Sequence, residues 1–154
     1  MKQNSTVKEQ SLNPQPSVRS KSQPAAEALD ERVMAALHAA SEKKAIDPVV
    51  LDLRDIASFT DYFVIVSGAN ERQVQAISDE VYEQLKKSGH AAARVEGYKT
   101  AEWILLDYGD FVVHVFAEKG RKFYDLERLW RESKRVQLPA EFTTDSGSSL
   151  RRES

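Results

Sequence analysis

The chain has 154 residues, 41% of them hydrophobic, with 22 Lys/Arg against 24 Asp/Glu and a net charge of −2. That length suits one domain with tails, and the absence of cysteine excludes a disulfide framework and a thiolate metal site. The longest apolar runs fall well short of the roughly 20 residues that cross a bilayer. The first ten residues, MKQNSTVKEQ, hold no apolar signal core, so a cytoplasmic protein without a membrane span is expected.

Residues 1–24 are rich in Ser, Gln, Asn, Lys and Pro and nearly free of large apolar side chains. Such a segment cannot bury enough surface to offset its ordering entropy, which predicts a disordered tail. Residues 25–136 form the expected domain. Its first helix spans Ala25 to about Ala40, with Leu29, Val33, Leu37 and Ala40 at helical spacing after Pro24. Pro48 opens VVLDL, a short strand. Asp61–Ser67 (DYFVIVS) is apolar at both alternating sets of positions, the pattern of a central strand covered on both sides.

Asn70, with Gln73 three residues on, predicts an N-cap of capping-box type. Val74, Ile77, Val81 and Leu85 form the inward stripe of the helix that follows, and Gly89 is placed to end it in the left-handed conformation. Ala91–Val95 is the next expected strand, so 61–95 reads as a strand–helix–strand unit with a right-handed crossover. Glu102–Asp107 and Phe111–Phe116 flank Tyr108-Gly109, a tight-turn signal, and predict a β-hairpin. A last helix is expected from Phe123 to Arg135, with Leu126, Leu129 and Trp130 inward. Residues 137–154, beginning near LPAEFTTDSGSS, read as a second disordered tail. The fold class is α/β: a single domain, with a mixed five-stranded sheet and flanking helices.

The charge is uneven along this plan. Residues 1–24 carry a net of +3 and residues 131–154 a net of +1, whereas 25–130 hold 13 Lys/Arg against 19 Asp/Glu, a net of −6. An acidic domain is a poor match for a phosphate backbone, which is held by Lys and Arg that displace counterions. It suits a basic protein surface, where opposite potentials speed encounter. Little direct RNA contact is expected, beyond weak, salt-sensitive attraction by the basic N-terminal tail.

No catalytic constellation assembles. Metal-dependent nucleotidyl transfer needs a Gly-Ser turn and an Asp-x-Asp that aims two carboxylates at metal ions. Ser67-Gly68 has the reverse order, and Asp52 and Asp55 are three apart across a strand end and its loop. His38, His90 and His114 lie on a helix, a loop and a strand, without ligand spacing. No cofactor or metal is expected. The Ser67–Asn70 turn is read as a strand-to-helix cap, since it is not glycine-rich enough for a phosphate cradle.

Three ordered blocks stand out. The first is Asp61–Gly68 followed by Glu71–Asp79. The second is Glu96-Gly97 followed by Ala101–Asp110. The third is Val112–Phe116 followed by Arg121–Trp130. Together they resemble the bacterial ribosomal silencing factor family, and the similarity covers about 27–132. It implies a core similar to that of nucleotidyltransferases, not known for catalysis. It also implies binding to the large ribosomal subunit through its fourteenth protein, on the face that meets the small subunit. Occupying that face blocks subunit joining and lowers translation when nutrients are short, while organelle relatives assist large-subunit assembly. Silencing and assembly would use one contact, so both stay open.

The resemblance draws attention to Trp103, which alternates onto one sheet face with Leu105. Two readings stand: ordinary core, or an anchor on an incompletely covered face, where exposed apolar patches and tryptophans mark interfaces. His114 shares the alternation of Val112 and Phe116 and is either hydrogen-bonded within the sheet or part of that face. Arg121 and Tyr124 are placed at its rim, and Glu96, Lys99 and Glu102 could pair with a partner's charges. Arg72, a cation in the first turn of its helix, is unfavourable to the helix dipole and therefore a weak further candidate. An open apolar face would be capped by a second copy when the partner is absent, so a homodimer is expected in isolation.

Overall fold

The computed structural model describes residues 30–143. Residues 1–29 and 144–154, which include the whole expected N-terminal tail and most of the C-terminal one, lie outside the described residues.

Helix α1 (Glu31–Glu42) starts where Asp30 accepts a hydrogen bond from the Arg32 N–H at 2.7 Å. Val33, Leu37 and Ala40 are buried along it as their spacing predicts; Leu29 lies outside the described residues. Strand β1 (Ile46–Asp52) begins two residues before Pro48. Its register slips between Ile46 and Val49, and Asp47 has φ +49°. A bulge there accommodates a proline that has no N–H to give the ladder.

Strand β2 (Tyr62–Gly68) is buried at every position, as expected of a central strand. The Asn70 side chain accepts from the Gln73 N–H at 2.8 Å, and Gln73 reaches back to the Ala69 N–H at 2.6 Å. This starts helix α2 (Glu71–Lys87), in which Val74, Ile77, Val81 and Leu85 are fully buried. Each contributes roughly 1.5–3 kcal/mol by leaving water. The helix ends in a Schellman pattern: Gly89, at φ +91°, donates to the Lys86 carbonyl and His90 to that of Leu85.

Strands β3 (Arg94–Glu96), β4 (Trp103–Asp107) and β5 (Phe111–Ala117) follow, then the short helices α3 (Glu118–Tyr124) and α4 (Leu126–Leu129), then β6 (Lys134–Arg135). The sheet order is β3-β4-β5-β2-β1-β6, with β2 and β5 parallel and the other pairs antiparallel. The sheet is therefore mixed and six-stranded rather than five-stranded. The added strand pairs Leu51 with Arg135 and Asp52 with Lys134. It takes the end of the helix expected over 123–135, which breaks at Asp125 (φ +50°). The break changes the helical phase, so Leu126 is buried but Leu129 is 71% exposed instead of inward. Trp130 is half-buried against the core, near its expected place.

The two sheet faces are covered unequally. Helices α1 and α2 lie over Val50, Val64, Val66, Ile104, Leu106, Val113 and Val115. The other face presents Leu51, Phe63, Ile65, Val112 and Phe116, and its helical cover comes from the short α3–α4 segment.

The chain after 136 does not behave as the expected tail through residue 143. A helical turn at 140–143 brings Phe142 into the core of the first face, edge-on to His38 at 5.0 Å. Phe142→Ala should lower unfolding free energy by about 3 kcal/mol in urea titration. An unchanged midpoint would return the end of the folded unit to residue 136.

Candidate partner-binding surface

The thinly covered face is organised by the β4–β5 hairpin. Its register sets Trp103 opposite Phe116 and Leu105 opposite His114. The turn closes as Asp107 accepts from the Gly109 N–H at 2.9 Å, with Gly109 at φ +85°. Trp103 stacks on Phe116 (centroids 4.9 Å apart, planes 27° apart) and meets Tyr124 of α3 at 4.8 Å. It remains only partly buried, as does Leu105.

Two glycines let the backbone close around this cluster. Gly97 has φ +83°, and a Cβ on it would collide with the Trp103 carbonyl oxygen. Gly120 brings α3 against β4, where a Cβ would lie 2.8 Å from the Glu102 carbonyl. The Ala117 N–H donates to that same carbonyl at 3.0 Å. Tyr124 therefore reaches Trp103 because a glycine sits where α3 crosses the end of β4.

His114 is 3% exposed, and its Nδ1 accepts a 3.0 Å hydrogen bond from the Trp103 indole N–H. The ring proton then belongs on Nε2. That nitrogen is buried and has no hydrogen-bond partner among the described residues. Burial pushes the imidazole down to about 3, so the ring is neutral at physiological pH. Of the two readings for His114, the hydrogen-bonded histidine within the sheet is the one observed. Its expected place, and that of Phe116, as direct contacts is corrected: Phe116 is fully buried, and both lie beneath the surface that Trp103 and Tyr124 present.

The remaining candidates separate. Glu96 and Glu102 are exposed beside the cluster. Glu96 pairs with Arg94 at 3.3 Å, and Arg94 also reaches Asp107 at 3.3 Å. Lys99 is exposed in the loop that Gln75 and Asp79 tie to α2 through Tyr98. Arg72 is exposed in the first turn of α2, and its side chain makes no hydrogen bond or ion pair among the described residues. Its helix packs on the opposite sheet face.

Arg121 is corrected from a rim residue to an internal clamp. Its guanidinium grips both Glu127 oxygens at 3.1 and 3.2 Å and donates to the Ser67 hydroxyl at 2.9 Å. Burial alone would raise the Glu127 carboxyl; the Arg121 hydrogen bonds and charge outweigh it and hold the group below the usual range. The clamp ties α3 and α4 to β2, and so fixes the segment that carries Tyr124. Asp52, weighed earlier as a metal ligand, is gripped by Arg54 at 2.8 and 3.0 Å.

Sequence reasoning missed Phe123, which is 78% exposed and packs edge-on to Tyr124 at 4.9 Å. It missed Phe59 as well, 60% exposed beside Trp130 and Phe63. The only signal for Phe123 was its place next to Tyr124, at what reads as the start of a helix. No helix among the described residues is long and apolar enough to cross a membrane.

The comparisons agree with one another. A family model described as "Ribosomal silencing factor during starvation" matches residues 25–153. A ribosomal silencing factor from Halalkalibacterium halodurans is 41% identical over 108 residues, which cover 70% of this chain and 92% of that one. A crystal structure from Bacillus halodurans, 41% identical, superposes with a TM-score of 0.64 over 70% of this chain and 98% of its own. The mouse protein named "Mitochondrial assembly of ribosomal large subunit protein 1" is 32% identical over 92 residues, 58% of this chain and 40% of that one.

The buried neutral His114 has a thermodynamic signature. The unfolded histidine titrates near pH 6.5 and the folded one near 3, so the unfolded state binds the extra proton between them. Its contribution to stability is full above about pH 6.5 and falls by roughly 1.4 kcal/mol per unit below it. His114→Asn should remove that slope from the difference in unfolding free energy between pH 7.5 and 5. Equal slopes in both proteins would contradict the neutral, desolvated imidazole.

Proposed function

Because the chain belongs to the ribosomal silencing factor family, we propose that it docks on the large ribosomal subunit through the Trp103 surface. In this proposal it covers a basic face of the fourteenth large-subunit protein, and the small subunit is sterically kept from joining. The observation that carries the reading is the partly exposed Trp103–Leu105–Tyr124 cluster on the thinly covered sheet face, with Glu96, Glu102 and Asp107 around it. An aromatic anchor supplies the desolvated centre of an interface. Arg94 offsets part of the rim charge, but the net of −6 over residues 25–130 favours a basic protein over a phosphate backbone. The action is occupancy, and no bond is made or broken.

A second reading has a specific observation behind it. The mouse relative's name places that protein in assembly of the ribosomal large subunit. The same surface would then hold a maturing subunit rather than a finished one. In either case we place the protein in the cytoplasm and direct RNA contact in a minor role. In isolation the open face is proposed to be covered by a second copy, which must release before docking.

Trp103→Ala should reduce cosedimentation with purified large subunits by at least about 30-fold in affinity, the scale of an interfacial hot spot. Its circular dichroism and cooperative melting should persist, and subunit joining should recover in parallel. Wild-type cosedimentation would contradict the surface assignment, and a variant that unfolds would support the core reading of Trp103. Glu96→Lys with Glu102→Lys tests the rim separately. Reversing both charges should slow association mainly at low salt, because exposed charges act through long-range attraction.

A further inference from the structure

We propose that His114 is a positioning residue for the docking surface: its Nδ1 holds the Trp103 indole in the one orientation that presents it to the large-subunit partner. This rests on the docking role of Trp103. Tryptophan's second side-chain torsion is broad and roughly two-fold, so a partly exposed indole on a sheet has more than one resting orientation. Stacking on Phe116 and a tilted contact with Tyr124 restrict its plane but do not distinguish the two ends of the ring. The 3.0 Å hydrogen bond to Nδ1 does, because only one edge of an indole carries an N–H.

The setting of His114 supports a dedicated role. Accepting at Nδ1 places the proton on Nε2, which is buried and unpaired among the described residues. A buried donor without a partner is destabilising, and a leucine or phenylalanine in the same space would avoid it. Phe63 packs edge-on to the imidazole at 4.4 Å, and Leu105 pairs with it across the strands. The site would thus accept an apolar side chain by its surroundings. What such a side chain could not do is accept the indole proton of Trp103, which is only partly buried.

The test is a double-mutant cycle on affinity for purified large subunits, read beside exchange of the Trp103 indole proton in the free protein. His114→Leu removes the acceptor and should weaken binding about fivefold to tenfold, with faster indole exchange. His114→Asn sets a carbonyl oxygen close to where Nδ1 stood and should restore binding to within about threefold. With Trp103→Phe in place there is no donor, and His114→Leu should cause no further loss. A loss of equal size in both backgrounds would show that His114 serves only as packing and would overturn the inference. So would unchanged binding and indole exchange in His114→Leu. His114→Phe serves as the apolar variant should His114→Leu not fold. If Trp103→Ala itself binds as wild type, it is the docking surface that fails, and indole exchange still reports separately on the hydrogen bond.

Discussion

Helices α1 and α2 supply all the long helical surface among the described residues, and both lie on the same face of the sheet. Everything distinctive about the opposite face follows from that allocation. Strands β2 and β5, the parallel pair at its centre, expose apolar side chains on both sides. The second side must be closed by two short helices, a loop carrying Phe59, and aromatic side chains packed on one another. The closure is complete over Phe63, Ile65 and Phe116 and incomplete over Trp103 and Leu105. The proposed docking rests on this partly open sheet face, since contiguous exposed apolar surface marks protein-binding sites.

The aromatic layer has a hierarchy. Phe116 is the floor, Trp103 and Tyr124 lie on it, and Phe123 leans on Tyr124 from outside. Arg121 holds the backbone of this arrangement from below, through Glu127 and Ser67. Gly97 and Gly120 let the chain approach closely enough for the rings to touch. Binding energy at interfaces concentrates in a few well-packed aromatic and arginine side chains, and pre-organising them reduces what must be ordered on docking. In the proposed docking, the rigid support beneath Trp103 lowers the ordering cost of binding through a small patch.

The parts of the fold legible in the sequence were those governed by local chemistry. Asn70, Gln73 and Gly89 mark both ends of α2 because caps depend on residues within one turn. The alternation of 103–107 and 111–116 correctly divided the two faces of the hairpin. Coverage was harder to read. Alternation places His114 and Phe116 on the same face as Trp103, but only tertiary packing shows that they lie beneath it. Asp125 carries no strong signal for the left-handed conformation that splits the expected last helix. The two-residue strand β6 is too short for any periodicity. Arg121 was identified as a rim residue from its position, since sequence does not reveal that Glu127 and Ser67 converge on it.

The central claim is that the protein meets the large subunit through the face around Trp103 and that it meets protein there. It is tested most directly by a photo-crosslinking amino acid placed at Tyr124, which touches Trp103 yet is 41% exposed, with purified large subunits. The control is the same probe at the exposed Glu83 of α2, which packs on the opposite face. The account predicts a crosslink from position 124 to a basic ribosomal protein and none from position 83. A crosslink from 124 to ribosomal RNA alone, or efficient crosslinking from 83 only, would contradict it.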